Sequence, residues 1–102
     1  MNYGLKKKDI NSIIKSLQKF SEVDEAILFG SRAMGNYKKA SDIDISIKGN
    51  NVTYNTISSI NIILNQELSL PYFFDNMNYE KITNKDLIQH IKKYGIVIYL
   101  KE

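Results

Sequence analysis

The chain contains no cysteine. Disulfides and thiolate metal sites are therefore excluded. It has a single histidine, His90, which falls inside a helical pattern and reads as a structural or surface residue. Its single proline, Pro71, closes a helical pattern, as the missing N–H requires. No apolar run approaches the roughly 18–20 residues that span a bilayer. The opening stretch, MNYGLKKKDI, lacks the apolar segment of a signal peptide, so no membrane role and a cytoplasmic location are expected. Charge of one sign is also scarce. The formal net charge is +3, and there is no basic stripe and no interleaving of aromatics with lysines, so direct nucleic-acid binding is not expected. The run Lys6-Lys7-Lys8 reads as the solvated start of a helix. A mildly basic chain remains compatible with a polyanion such as a triphosphate.

What is present suits one small core. The 102 residues predict a single domain over 1–102. From about Lys8 to Phe20, Ile10, Ile13, Ile14, Leu17 and Phe20 recur on one helical face. EAILFG, Glu25 to Gly30, is a short apolar run stopped by glycine, which suits a buried strand. DIDISIK then alternates, with Ile43, Ile45 and Ile47 on one side and Asp42, Asp44 and Ser46 on the other. A helix is predicted from about Thr53 to Leu68 on the stripe Ile57, Ile60, Ile63, Leu64 and Leu68. YFFDNMN reads as a third strand with a turn near Glu80. TNKDLIQHIKKYG reads as a helix capped at Thr83 or Asn84 and closed by Gly95 in a left-handed C-cap. IVIYL closes the chain as a strand. The order α-β-β-α-β-α-β predicts an α/β (α+β) fold: a small mixed sheet with helices packed on one face.

Asp42 and Asp44 carry the first chemical signal. On one side of a strand they stand roughly 6–7 Å apart, and their like charges repel. A cation between them relieves the repulsion. Carboxylates at this spacing suit Mg²⁺ or Mn²⁺ rather than zinc. Alone, Asp-x-Asp more often describes a solvated acidic edge. The second signal is FGSRAMG. Gly30 allows close backbone approach to a ligand. Ser31 offers a hydroxyl and can cap a short helical turn from Arg32 onward, and Arg32 adds a fork of donors suited to phosphate. Alone, this is an ordinary turn. Together, Gly-Ser, ten residues, then Asp-x-Asp arise by chance in about one chain in a thousand of this length.

The block GSRAMGNYKKASDIDISIKG resembles the signature of the polymerase-β-type nucleotidyltransferase superfamily. In its short length the chain is similar to the prokaryotic minimal nucleotidyltransferases (MNT), whose block reads GSRARG followed by SDIDL. The likeness extends loosely through DLIQHIKKYGIVIY. Met34 departs from it, standing where arginine is frequent. The resemblance implies a polymerase-β-like nucleotidyltransferase fold. It implies that Gly30 and Ser31, helped by Arg32, hold the triphosphate of ATP, and that Asp42 and Asp44 bind two Mg²⁺ ions, with Mn²⁺ as a substitute. A third carboxylate on a neighbouring strand then binds the second ion and helps deprotonate the attacking hydroxyl. Asp75 is the natural candidate, ahead of Glu80 and Asp86.

The chain leaves little room for a domain that binds an acceptor, so the acceptor is expected on a partner or a second subunit. The resemblance implies a HEPN-type RNase toxin, neutralised by transfer of AMP to a tyrosine hydroxyl. The antitoxin could associate with that toxin or with itself. The competing reading is a catalytically silent antitoxin that neutralises its partner by binding alone. Transfer to a small molecule such as an aminoglycoside is a further alternative, disfavoured by the short chain.

Overall fold

A computed structural model describes residues 3–102. Helix α1, Lys7–Leu17, forms on the predicted stripe, with Ile13 and Leu17 buried. The lysines at its start are exposed. Strand β1, Glu25–Phe29, leads straight into a short helix α2, Gly30–Met34, which Gly35 ends in the left-handed conformation. Strand β2 is Ile43–Lys48. Helix α3, Tyr54–Ile62, opens with a reciprocal cap between Thr53 and Thr56. It widens into a π-type turn over Ile63–Glu67, so the helix predicted up to Leu68 is present but not uniformly wound. Strand β3, Phe74–Asn78, is followed by one 3₁₀ turn, Tyr79–Lys81. Helix α4, Lys85–Tyr94, is capped by Asn84, whose side chain accepts from the Asp86 and Leu87 N–H groups. Strand β4 is Ile96–Leu100. Among the described residues no helix is long and apolar enough to cross a membrane.

The sheet order is β3-β2-β1-β4. β1 runs antiparallel to both neighbours, while β2 and β3 pair in parallel across the α3 connection. The sheet is therefore mixed, as expected. Ala26, Leu28, Ile43, Ile45, Ile47 and Phe74 turn to one face, where they meet Ile13 and Leu17 of α1 and Ile60 of α3.

The prediction that the helices share one face holds for α1 and α3 and fails for α4. Ile27 and Phe29 project from the opposite face and pack against Ile91 of α4. The reason lies in β1 itself. Its run is apolar at consecutive positions rather than alternating, so both sides of the strand need cover.

Gly95 is a second correction. It is extended (φ −62°, ψ 143°) rather than left-handed. A side chain there would strike the Ile91 carbonyl oxygen and come within 2.6 Å of Ile27 Cγ2. Glycine is required for space where α4 turns back onto the sheet, not for handedness.

Candidate active site

Because Ile43 and Ile45 point into the α1/α3 core, Asp44 between them points to the α4 face. In register it lies opposite Phe29 on β1 and opposite Asp75 on β3. Directly paired residues on adjacent strands project to the same side, from backbones about 4.8 Å apart. Asp42 stands two residues upstream, exposed at the mouth of β2, and Asp75 is exposed on β3. The fold thus brings Asp42, Asp44 and Asp75 to one end of one sheet face. Glu80 lies in the 3₁₀ turn beyond β3 and Asp86 in the first turn of α4, and neither has a register position beside Asp44.

Gly30 completes the geometry. It follows Phe29, so it sits beside Asp44, with φ at +76°. A Cβ on Gly30 would run into Asp44 Oδ2. Gly30→Ala therefore combines a left-handed backbone penalty of about 1–2 kcal/mol with displacement of the Asp44 carboxyl. The expected result is a lowered urea midpoint together with loss of Mg²⁺-dependent nucleotide binding, measured on the same preparation. Ser31, part-exposed, is next along the turn, and no side chain at the N-cap position, Phe29, closes α2.

Asp44 is half-buried, and burial is the first cause that pushes its carboxyl up, to about 6; the charges of Asp75 and then Asp42 add to this, and nearby His90 opposes it. Among the described residues Asp44 belongs to no salt bridge. An all-oxygen donor set with uncompensated negative charge fits a hard divalent cation. Among the described residues no three acidic or histidine side chains already close into a cation cage. The site is a carboxylate face with two exposed members at its rim, and Asp44 is its half-buried one.

Arg32 does not take the place expected of it. It is 2% exposed, and its guanidinium is spent on backbone carbonyls. Nε and one terminal nitrogen donate to the Ser41 oxygen at 3.2 and 2.9 Å. The same terminal nitrogen donates to the Lys39 oxygen at 3.3 Å and the other to the Tyr3 oxygen at 3.0 Å. The rings of Tyr37 and Tyr72 stand 5.1 and 5.5 Å from its central carbon. The sequence suggested a phosphate ligand; the structure makes Arg32 the clasp that ties the 36–41 loop to the N-terminal segment.

His90 is the residue that sequence reasoning underrated. Its Nε2 accepts the Gly30 N–H at 2.9 Å across 60 residues of sequence. Only the fold reveals this. The local sequence shows at most that His90 and Tyr94 share a helix face at i, i+4.

Comparison with known proteins identifies the family and the fold. The chain matches the family described as polymerase beta, nucleotidyltransferase over residues 11–102. It is 30% identical over 94 residues to a protein of Methanocaldococcus jannaschii named "Putative protein adenylyltransferase", with 90% of each chain covered. Its fold is similar to a chain of a toxin–antitoxin crystal structure with AMP-PNP, at TM-score 0.71 and 18% identity, covering 96% of this chain and 76% of that one. It is also similar to a chain from a Shewanella oneidensis complex of tri-AMPylated HEPN toxin with MNT antitoxin, at TM-score 0.70 and 19% identity, covering 95% and 74%. With the family match spanning nearly the whole chain and the Gly-Ser turn set against the Asp-x-Asp strand, this protein belongs to the polymerase-beta nucleotidyltransferase family.

Proposed function

We propose that this chain is an antitoxin that transfers AMP from ATP to a tyrosine hydroxyl of a HEPN-type RNase toxin in the cytoplasm. The observation that carries the reading is the register of Asp44 with Asp75, with Asp42 on the same side and the Asp44 carboxyl seated over Gly30. The choice of a protein acceptor is supported by the name of the M. jannaschii relative. The choice of a HEPN toxin is supported by the partner in the S. oneidensis complex.

Asp42 and Asp44 would hold two Mg²⁺ ions, with Asp75 completing the second position. Bound there, the ions would screen the triphosphate and lower the pKa of the acceptor hydroxyl. Ser31 and the turn it opens bind and orient the triphosphate, so that the α-phosphorus faces the open end of the carboxylate face. Asp75, on the exposed edge strand, is placed to receive the proton of the incoming tyrosine. The tyrosine oxygen bonds to the α-phosphorus as the bond to the bridging oxygen breaks, and pyrophosphate leaves. The protein contributes position and charge rather than a covalent intermediate.

Incubation with α-labelled ATP, Mg²⁺ and the product of the adjacent gene tests this. The expected result is label on a toxin tyrosine and loss of RNase activity, both abolished by Asp75→Ala. Neutralisation of the toxin without label, unchanged in that variant, would establish the binding-only antitoxin instead.

A further inference from the structure

The Gly-Ser turn is held from two sides. On one, the Asp44 carboxyl fills the space a side chain would need at Gly30. On the other, Gly30 donates its N–H to His90 Nε2 at 2.9 Å. The imidazole has little freedom to leave. It packs edge-on against Phe29, with ring centroids 6.1 Å apart and planes at 77°. It also lies tilted against Tyr94, at 5.3 Å and 41°. An acceptor at Nε2 places the ring proton of a neutral imidazole on Nδ1. The residue before the turn and the helix behind it therefore both fix this ring.

We propose that His90 is a positioning residue for nucleotidyl transfer, holding Gly30 in its left-handed conformation through the Gly30 N–H···Nε2 bond so that the turn and the Asp44 carboxyl keep one relative position. This rests on the proposed nucleotidyltransferase function. It has a corollary for the nucleotide: the Gly30 amide is already committed to His90, so the triphosphate is gripped from Ser31 onward.

The test uses the full chain, unmodified and with His90→Gln or His90→Leu. Glutamine can set an amide oxygen where Nε2 stands; leucine keeps bulk and removes the acceptor. Three readouts are taken. The first, on ¹⁵N-labelled protein without nucleotide, is hydrogen exchange of the Gly30 amide and the scalar coupling across its bond to Nε2. The second is titration with Mg²⁺ and α,β-methylene-ATP, which cannot transfer AMP. The third is AMP transfer to the toxin, separated into kcat and KM for the toxin.

The expected result is a detectable coupling in the unmodified protein. Gly30 exchange should be about 5–10-fold faster with leucine, from the loss of one hydrogen bond. Transfer should show a kcat about 10-fold lower with leucine and an unchanged KM for toxin, with the glutamine variant within about 3-fold of the parent in exchange and kcat. Absence of the coupling in the unmodified protein overturns the proposal even where the leucine variant fails to fold. Equal losses in the glutamine and leucine variants, tracking only their melting temperatures, overturn it in favour of simple packing. If no transfer occurs in the parent, the function reading fails while the exchange and coupling results still decide whether His90 holds Gly30.

Discussion

Asp44→Asn is expected to abolish AMP transfer while leaving the protein more stable at neutral pH. Loss of one charged metal ligand removes transition-state stabilisation of several kcal/mol; about 4 kcal/mol is a loss of about 1,000-fold in rate. The stability gain follows from the same carboxyl. Its pKa is about 6 in the fold against an ordinary 3.8, so the folded chain binds the proton more tightly than the unfolded one. That contribution is whole below pH 3.8 and is lost as pH rises through about 6. Above that, the fold carries a half-buried charge beside Asp75 and Asp42, which asparagine relieves. After discounting for solvent screening, the gain is about 1 kcal/mol, or about 4–8 °C in Tm for a domain of this size. Melts of both proteins from pH 4 to pH 8 check it: the curves should separate as pH rises and meet near pH 4. Added Mg²⁺ should raise the Tm of the parent at pH 7.5 and leave the variant unmoved. Retained transfer in the variant would remove Asp44 from the chemistry.

Arg32→Met should produce the largest fall in stability. Methionine replaces the apolar stem but leaves the carbonyls of Tyr3, Lys39 and Ser41 without the donor they now share. Part-buried carbonyls that lose a charged donor shared over four hydrogen bonds cost about 3 kcal/mol together, a large fraction of what holds a small domain folded. With a urea slope near 1 kcal/mol/M, the midpoint should fall by about 3 M or the variant should not fold. Arg32→Lys restores charge but not the planar fork, so it should recover only part of the loss. A variant with an unchanged midpoint and weakened ATP binding would return Arg32 to the phosphate role suggested by its place in the motif.

Most of the scaffold was legible because its periodicities are local. The stripes of α1 and α4 and the alternation of β2 each report one buried face, and the boundaries fell close to those predicted. The juxtaposition of Gly-Ser with Asp-x-Asp was legible because they lie in adjacent elements, and Asp75, unlike Glu80 and Asp86, has a register position beside Asp44. What escaped has a common cause. Arg32 follows Gly-Ser as a phosphate ligand would, yet its partners are carbonyls from Tyr3 and from the 39–41 loop, and no residue type advertises a carbonyl. His90 reaches Gly30 only because α4 covers the face opposite α1 and α3, a placement hinted at by the unbroken apolar run of β1. Gly95 carried a familiar helix-end signature while the actual constraint was crowding by Ile27.

The one parallel pairing among the described strands has a consequence for how activity is acquired. Asp42, Asp44 and Gly30 come together through a hairpin-like neighbour, with little chain to close. Asp75 arrives only after the long α3 crossover has been ordered and β3 has docked in frame, and a slip of one residue would turn it to the wrong side of the sheet. Contacts of such sequence separation form against greater loop-closure entropy. A newly made chain would thus acquire its two-aspartate half before its third acid, and the Gly30–His90 contact, across 60 residues, later still.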